Sequence, residues 1–248
     1  MQISVVAETL FHLGSLPVTN SLLTSWIVTL ILIISGVLVG LNYRQLPSGL
    51  QQFFELVYST FEDMAVSIVG EDGKKYVPLI VTFFLLIIFS NWFGIIPGVG
   101  SVGRYVTENG QRVFIPFLRG ANADLNSTIA LAVISVGITQ YYGIVSSGLR
   151  HHLHHFTNPF EIISEAFKLL SFSFRLFGNV FAGEVLLLAF ASILVIVTHN
   201  QSPWLGIPGG IIQTPFFVFE FFVGFIQAFI FSVLTLVFIS IYSKETSR

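Results

Sequence analysis

Residues 159–197 read PFEIISEAFKLLSFSFRLFGNVFAGEVLLLAFASILVIV, an apolar run that carries Glu161, Glu165, Lys168, Arg175 and Glu184 inside it. The run does not alternate in the ten-residue pattern of an outer-membrane barrel strand, so it reads as helix. A continuous helix of about 36 residues is ~54 Å long at 1.5 Å per residue, against ~30 Å of hydrocarbon. Such a helix must tilt steeply, by roughly 55°, or kink. The next apolar run, Pro208 to Tyr242, is of similar length and carries Glu220 and Gln227. Pro208 and Pro215 permit a bend near its start. Both final helices are therefore expected to lie steeply inclined.

Three shorter apolar runs precede them: Leu23 to Leu41 without a charge, Val77 to Pro97 interrupted by Asn91, and Leu125 to Leu149, polar in places but uncharged. Each is long enough to cross a bilayer as helix. The fold class is all-α, a polytopic integral membrane protein with about five spans. Composition agrees: 248 residues are 54% hydrophobic and 10% charged, with a mean hydropathy of +0.83. A soluble domain carries about 25% charged residues, so a single water-soluble domain is excluded. Eleven Lys and Arg against thirteen Asp and Glu leave no basic excess, which excludes a nucleic-acid partner. The absence of cysteine excludes a disulfide scaffold, a thiolate metal site and a cysteine nucleophile.

Between the first two spans, Ser48 to Gly70 mixes Glu55, Glu62 and Asp63 with Phe53, Phe54, Leu56, Val57 and Phe61, the pattern of an amphipathic helix at the membrane surface. Gly98 to Asp124 reads as an outer loop. Met1 to Asn20 lacks Lys and Arg, so it is no secretory signal, and residues 1–22 form an outer N-terminal segment. With the N-terminus outside, the inner side holds Arg44, Lys74, Lys75, Arg150, Lys244 and Arg248, and the outer side Arg104, Arg112 and Arg119. That excess places the C-terminus inside. There is no internal repeat, which counts against the inverted-repeat transporters, and one membrane domain, 1–248, accounts for the chain.

A charged side chain near the bilayer centre costs at least ~2.5–3.5 kcal/mol, so intramembrane charges are expected to face protein or water and to mark an ion path. For Glu161, Glu165 and Lys168 the alternative is snorkelling at the inner interface; for Arg175, Glu184 and Glu220 it is a buried structural network. Helical phase sorts these residues. Ser171, Arg175, Gly178 and Ala182 line one stripe, and Gly178 with Ala182 is a small-xxx-small pair that admits another helix. Asn179 lies nearly on that side. Glu184, nine residues on, points about 180° away. On the last helix Glu220, Gly224 and Gln227 share a face, with Ala228 beside them.

The stretch 168–184, KLLSFSFRLFGNVFAGE, resembles the signature of subunit a of the F-type ATP synthase. Residues 226–231, IQAFIF, resemble that family's C-terminal helix, and 124–128, DLNST, the opening of its middle span; Asn158-Pro159 also fits. The resemblance extends from about Pro78 to the C-terminus. It implies a stator channel that faces a ring of c subunits, each with one membrane carboxylate, in company with peripheral-stalk b subunits and the other synthase subunits. It makes Arg175 the essential arginine and Ser171, Gly178 and Ala182 ring-facing. It puts Glu184, Glu220 and Gln227 in an outer half-channel or its boundary, with Asp124 and Asn126 at its mouth. Asn179 and Gln227 orient water or the arginine, and Glu165 is the candidate inner exit. Glu220 stands where some members have histidine, so Glu184 and Glu220 are two acids that could share one site. Leu169 replaces a proline found in many members.

No cofactor, metal or catalytic site of its own is expected, and ATP chemistry falls to other subunits. The expected location is a bacterial plasma membrane, with an organelle inner or thylakoid membrane as the alternative. His151, His152, His154 and His155 have metal-like spacing but read as a solvated connector or headgroup contact. Two other function classes compete: a self-contained transporter, which conducts ions alone, and an assembly factor, for which loss of Arg175 leaves pumping intact.

Overall fold

A computed structural model describes residues 7–47, 49–96, 98–108, 111–148, 159–199 and 206–244. Its helices are α1 (Asn20–Leu41), α2 (Gly49–Val69), α3 (Val77–Ile95), α4 (Leu125–Ser147), α5 (Pro159–His199) and α6 (Gly206–Lys244). Five helical segments among the described residues are long and apolar enough to cross a membrane: 20–41, 71–95, 125–146, 159–190 and 214–242. The chain is thus an all-α, polytopic membrane protein, with spans close to those its apolar runs define. The histidines at 151–155 lie outside the described residues.

Local chemistry sets the helix ends. Thr19 Oγ1 accepts from Leu22 N–H (3.3 Å) at the start of α1, and Asp124 Oδ1 accepts from Asn126 N–H (3.0 Å) at the start of α4. Each satisfies an N–H that has no partner within the helix. Pro78 falls in the first turn of α3, where a missing N–H costs nothing. At ~1.5 Å per residue, the 41-residue α5 and 39-residue α6 are both about 60 Å long. Helix α5 runs unbroken past Leu169, and Pro215 is accommodated within α6.

Two antiparallel hairpins depart from the reading of the N-terminal segment and of 98–124 as irregular. Strand β1 (Thr9–Leu13) pairs with β2 (Leu16–Thr19), turning at Gly14, whose φ of 66° suits a residue without Cβ. Strand β3 (Gly103–Glu108) pairs with β4 (Gln111–Pro116), from Gly103 opposite Pro116 to Glu108 opposite Gln111. The sequence held the signal, because Asn109-Gly110 is a strong hairpin dipeptide. Arg104 Nη2 donates to Leu10 O (2.8 Å), joining the two hairpins.

The chain forms two compact units. In the first (1–27, 88–127 and 175–227), the end of α3 docks on α6 through polar groups: Asn91 Nδ2 donates to Gly224 O (3.0 Å) and Trp92 Nε1 to Phe221 O (3.1 Å), with the Trp92 and Phe221 rings stacked 4.0 Å apart. Asn122 Nδ2 donates to Asn91 Oδ1 (2.7 Å). Gly94 lies so close to Gly120 that a Cβ on Gly94 would fall 2.9 Å from the Gly120 Cα.

The second unit (28–87, 128–174 and 228–248) has an aromatic core. Phe61 of α2 packs against Phe84 (5.0 Å between centroids) and Phe229, and Phe231 sits between Phe83 and Phe172. Buried hydroxyls pair across helices, Ser135 with Thr235 at 2.8 Å and Thr128 with Ser173 at 3.3 Å. Among spans with little other driving force for association, such pairs fix which faces meet. Leu30, Ile33, Ile34 and Val37 of α1 are exposed, an apolar surface suited to lipid.

Candidate functional site

In the first unit, Glu184 of α5 meets Arg119, which the loop before α4 delivers. Arg119 Nε donates to both carboxylate oxygens (3.1 and 3.2 Å) and Nη2 donates to Oε2 (3.2 Å). The arginine side chain is 7% exposed and the carboxylate 28%. Three elements hold the loop in place. Arg119 N–H donates to Thr24 Oγ1 of α1 (3.3 Å), Gly120 abuts Gly94 of α3, and Gly120 is also near Val180 of α5. Sequence reading counted Arg119 only as an outer-loop charge; nothing in its spacing points to a residue 65 positions away.

Glu220 of α6 lies against α5 at Gly183. A Cβ on Gly183 would fall 2.6 Å from Glu220 Cδ, so this glycine makes the space the carboxyl occupies. Glu220 also feels the charge of Glu184, so the two acids that sequence reading paired do interact. Glu220, Gln227, Asn179 and Asn91 line one small cleft. Asn179 Nδ2 donates to Gln227 Oε1 (2.7 Å), which orients the amide of Gln227, itself 3% exposed. Glu220 Oε2 and Gln227 Nε2 are both buried and make no hydrogen bond to a described residue. Sequence reading missed Asn91 and Gly183 as site residues. Asn91 left a trace as the polar break in the α3 run.

Asp124 is 6% exposed, and its carboxylate serves α4 and α1: it accepts from Asn126 N–H, Asn126 Nδ2 (3.2 Å) and Ser21 Oγ (2.9 Å). Asp124 and Asn126 thus act visibly as a cap and a strut. On α5, Arg175 is half-buried, while Gly178 and Ala182 along its stripe are exposed, as is Ser171. Nothing lies within 4 Å of where a Gly178 Cβ would point.

In the second unit, Glu165 forms a separate cluster. Lys168 Nζ donates to Glu165 Oε1 (2.6 Å) and to Tyr242 Oη (3.2 Å), and Tyr242 Oη–H donates to Glu165 Oε1. Lys168 also lies over the Phe238 and Tyr242 rings, 4.9 and 5.2 Å from their centroids, within cation–π range. Snorkelling alone does not describe Lys168, because its ammonium is bound within protein. Tyr242 was not foreseen as its partner. Among the described residues, no group of three or more His, Asp or Glu could hold a metal.

Comparison with known proteins places this geometry in a family. The family model described as ATP synthase A chain matches residues 22–240. A protein named ATP synthase subunit a from Syntrophobacter fumaroxidans is 34% identical over 86% of this chain and 80% of its own. Its namesake from Geobacter sulfurreducens is 32% identical over 87% and 83%, and that from Moorella thermoacetica 29% identical over 93% and 94%.

Proposed function

Because this chain belongs to the ATP synthase A chain family, we propose that it is the proton-translocating stator subunit of a rotary synthase, with two offset half-channels beside a ring of c subunits. The observation that carries the reading is the α5 stripe: a half-buried arginine flanked on its face by exposed Ser171, Gly178 and Ala182. Small residues there let a neighbouring helix approach closely, and Arg175 then meets whatever charge that helix bears.

Arginine does not release its proton in a protein, so Arg175 is a permanent cation and never a carrier. At ~4 Å and an effective dielectric near 20, its attraction for a ring carboxylate is about 4 kcal/mol. That holds the carboxylate ionised, with its pKa lower by roughly 3 units before desolvation is counted. The carboxylate must therefore take a proton before it leaves Arg175 for lipid. A proton entering from outside neutralises one carboxylate, rides around the ring, and leaves through the inner half-channel. The fixed cation repels a proton that would pass directly between the two. Each charge crossing 100 mV releases ~2.3 kcal/mol, which turns the ring only if that leak is closed.

The cleft of Glu220, Gln227, Asn179 and Asn91, with Glu184 nearby, supplies the outer path in this reading. Asp124 and Asn126 brace its mouth. The Glu165, Lys168 and Tyr242 cluster supplies the inner exit. The long α5 and α6 lie steeply inclined, the N-terminus faces outward, and the chain works in a bacterial plasma membrane with b subunits of a peripheral stalk. It carries out no ATP chemistry itself.

The test is ATP-driven proton pumping in membranes carrying Arg175→Ala, with assembly measured on the same sample. Assembled complexes should lose pumping by about a hundredfold or more, the scale of removing one preorganised charge from a transport step. Normal pumping by assembled mutant complexes sinks the stator reading. It would leave Arg175 as a structural charge.

A further inference from the structure

Two acids from different helices stand near each other in the first unit, and their surroundings differ. Both Glu184 oxygens accept hydrogen bonds from the guanidinium of Arg119, at 3.1 and 3.2 Å. Such a forked pair, with the cation 7% exposed, favours the ionised carboxylate and offers it no reason to bind a proton. Glu220 Oε2 has no such partner: it is buried beside the notch at Gly183, in a cleft with the unpartnered Nε2 of Gln227. The charged groups facing Glu220 among the described residues are Glu184 and, behind it, Arg119. The other polar groups lining the cleft, Asn91 from α3, Asn179 from α5 and Gln227 from α6, are neutral.

We propose that Arg119 is a positioning residue that fixes Glu184 as a standing anion, so that Glu220 alone of the two acids binds and releases the proton. The inference rests on the outer half-channel reading of this cleft. In the step it describes, a proton from the outer side forms an O–H bond at Glu220. That bond breaks as the proton passes to the ring carboxylate, and the Glu220 carboxylate is regenerated. Glu184 remains unprotonated throughout. Its charge draws protons toward the cleft, while Arg119 keeps it from trapping them. The built seat of the arginine on Thr24, Gly94 and Gly120 suits a fixed electrode rather than a mobile loop charge.

The experiment measures ATP-driven pumping per assembled complex, and passive proton conduction after removal of the catalytic head, across a range of pH. The variants are Glu220→Gln, Arg119→Gln, Glu184→Gln and the double Arg119→Gln/Glu184→Gln. Glu220→Gln should lose about tenfold or more. Each single change at 119 or 184 strands one buried charge and should lose about tenfold; the double removes both charges and should exceed the better single by about threefold or more. Arg119→Gln alone should add a second proton-binding step to the pH profile, because Glu184 without its cation takes up a proton; the double should show one step.

A double variant no better than the worse single means that Glu184 itself carries the proton, and overturns the proposal. Parental pumping by Glu220→Gln removes the outer-path reading beneath it, which is a different failure. If the double variant does not assemble, Arg119→Lys decides. It keeps a cation and should keep a single step, and a second step in its profile overturns the proposal.

Discussion

Glu165 finds its cation three residues along its own helix, whereas Glu184 finds its own 65 residues back, on a loop. Both pairs are largely screened from water: Glu165 is 12% and Lys168 23% exposed, against 28% for Glu184 and 7% for Arg119. They do different mechanical work. The Glu165–Lys168 pair ties α5 mostly to itself and reaches α6 through Tyr242. The Arg119–Glu184 pair ties a loop to a helix, and the loop in turn leans on α1 and α3. A local pair adjusts a site; a distant one also assembles it.

Substitutions can break or sharpen this contrast. The largest effect is expected from Arg119→Met, which leaves a carboxylate without its cation. Stability should fall by about 3–5 kcal/mol, read as loss of assembled complex or a lower unfolding temperature. Lys168→Met should cost about 1 kcal/mol at most, because Tyr242 still donates to Glu165. The reverse order would show that the local pair is the structural one. Between these lies Gly94→Ala: its Cβ would meet backbone at Gly120, which cannot swing aside, and about 1–3 kcal/mol should be lost.

A milder prediction separates site from scaffold. Gly183→Ala pushes only on the Glu220 side chain, which can rotate, so assembly should hold while pumping per complex falls severalfold, on the order of 1 kcal/mol in barrier. Unchanged pumping in that variant would mean that the position of the Glu220 carboxyl is not critical. Tyr242→Phe, the smallest change, should reduce pumping by no more than about threefold, since Lys168 continues to hold Glu165.

The same contrast explains what could be read in advance. Apolar runs fix the spans because hydrocarbon thickness imposes a length, and helical phase places Glu220 with Gln227 and separates Arg175 from Glu184. These are properties of one segment at a time. Arg119 carries no such mark: as a lone arginine in a Gly-rich loop it looks like surface charge, and only the seat on Thr24 and Gly94 brings it inward. Gly183 was hidden for a related reason, since its empty side is meaningful only once Glu220 is known to fill it. The hairpins escaped because a membrane protein's loops are judged by charge before they are judged by alternation.

The separation of Arg119 from Glu184 also has a consequence in time. At about 5–20 residues per second, a ribosome needs roughly 3–13 s to add the 65 residues between them. For that interval the arginine exists and its carboxylate does not. A cation that cannot be discharged must wait in water, so the 98–124 segment stays undocked while α4 and the first half of α5 are made. Closure of this part of the protein is therefore a late event, set by the arrival of one glutamate.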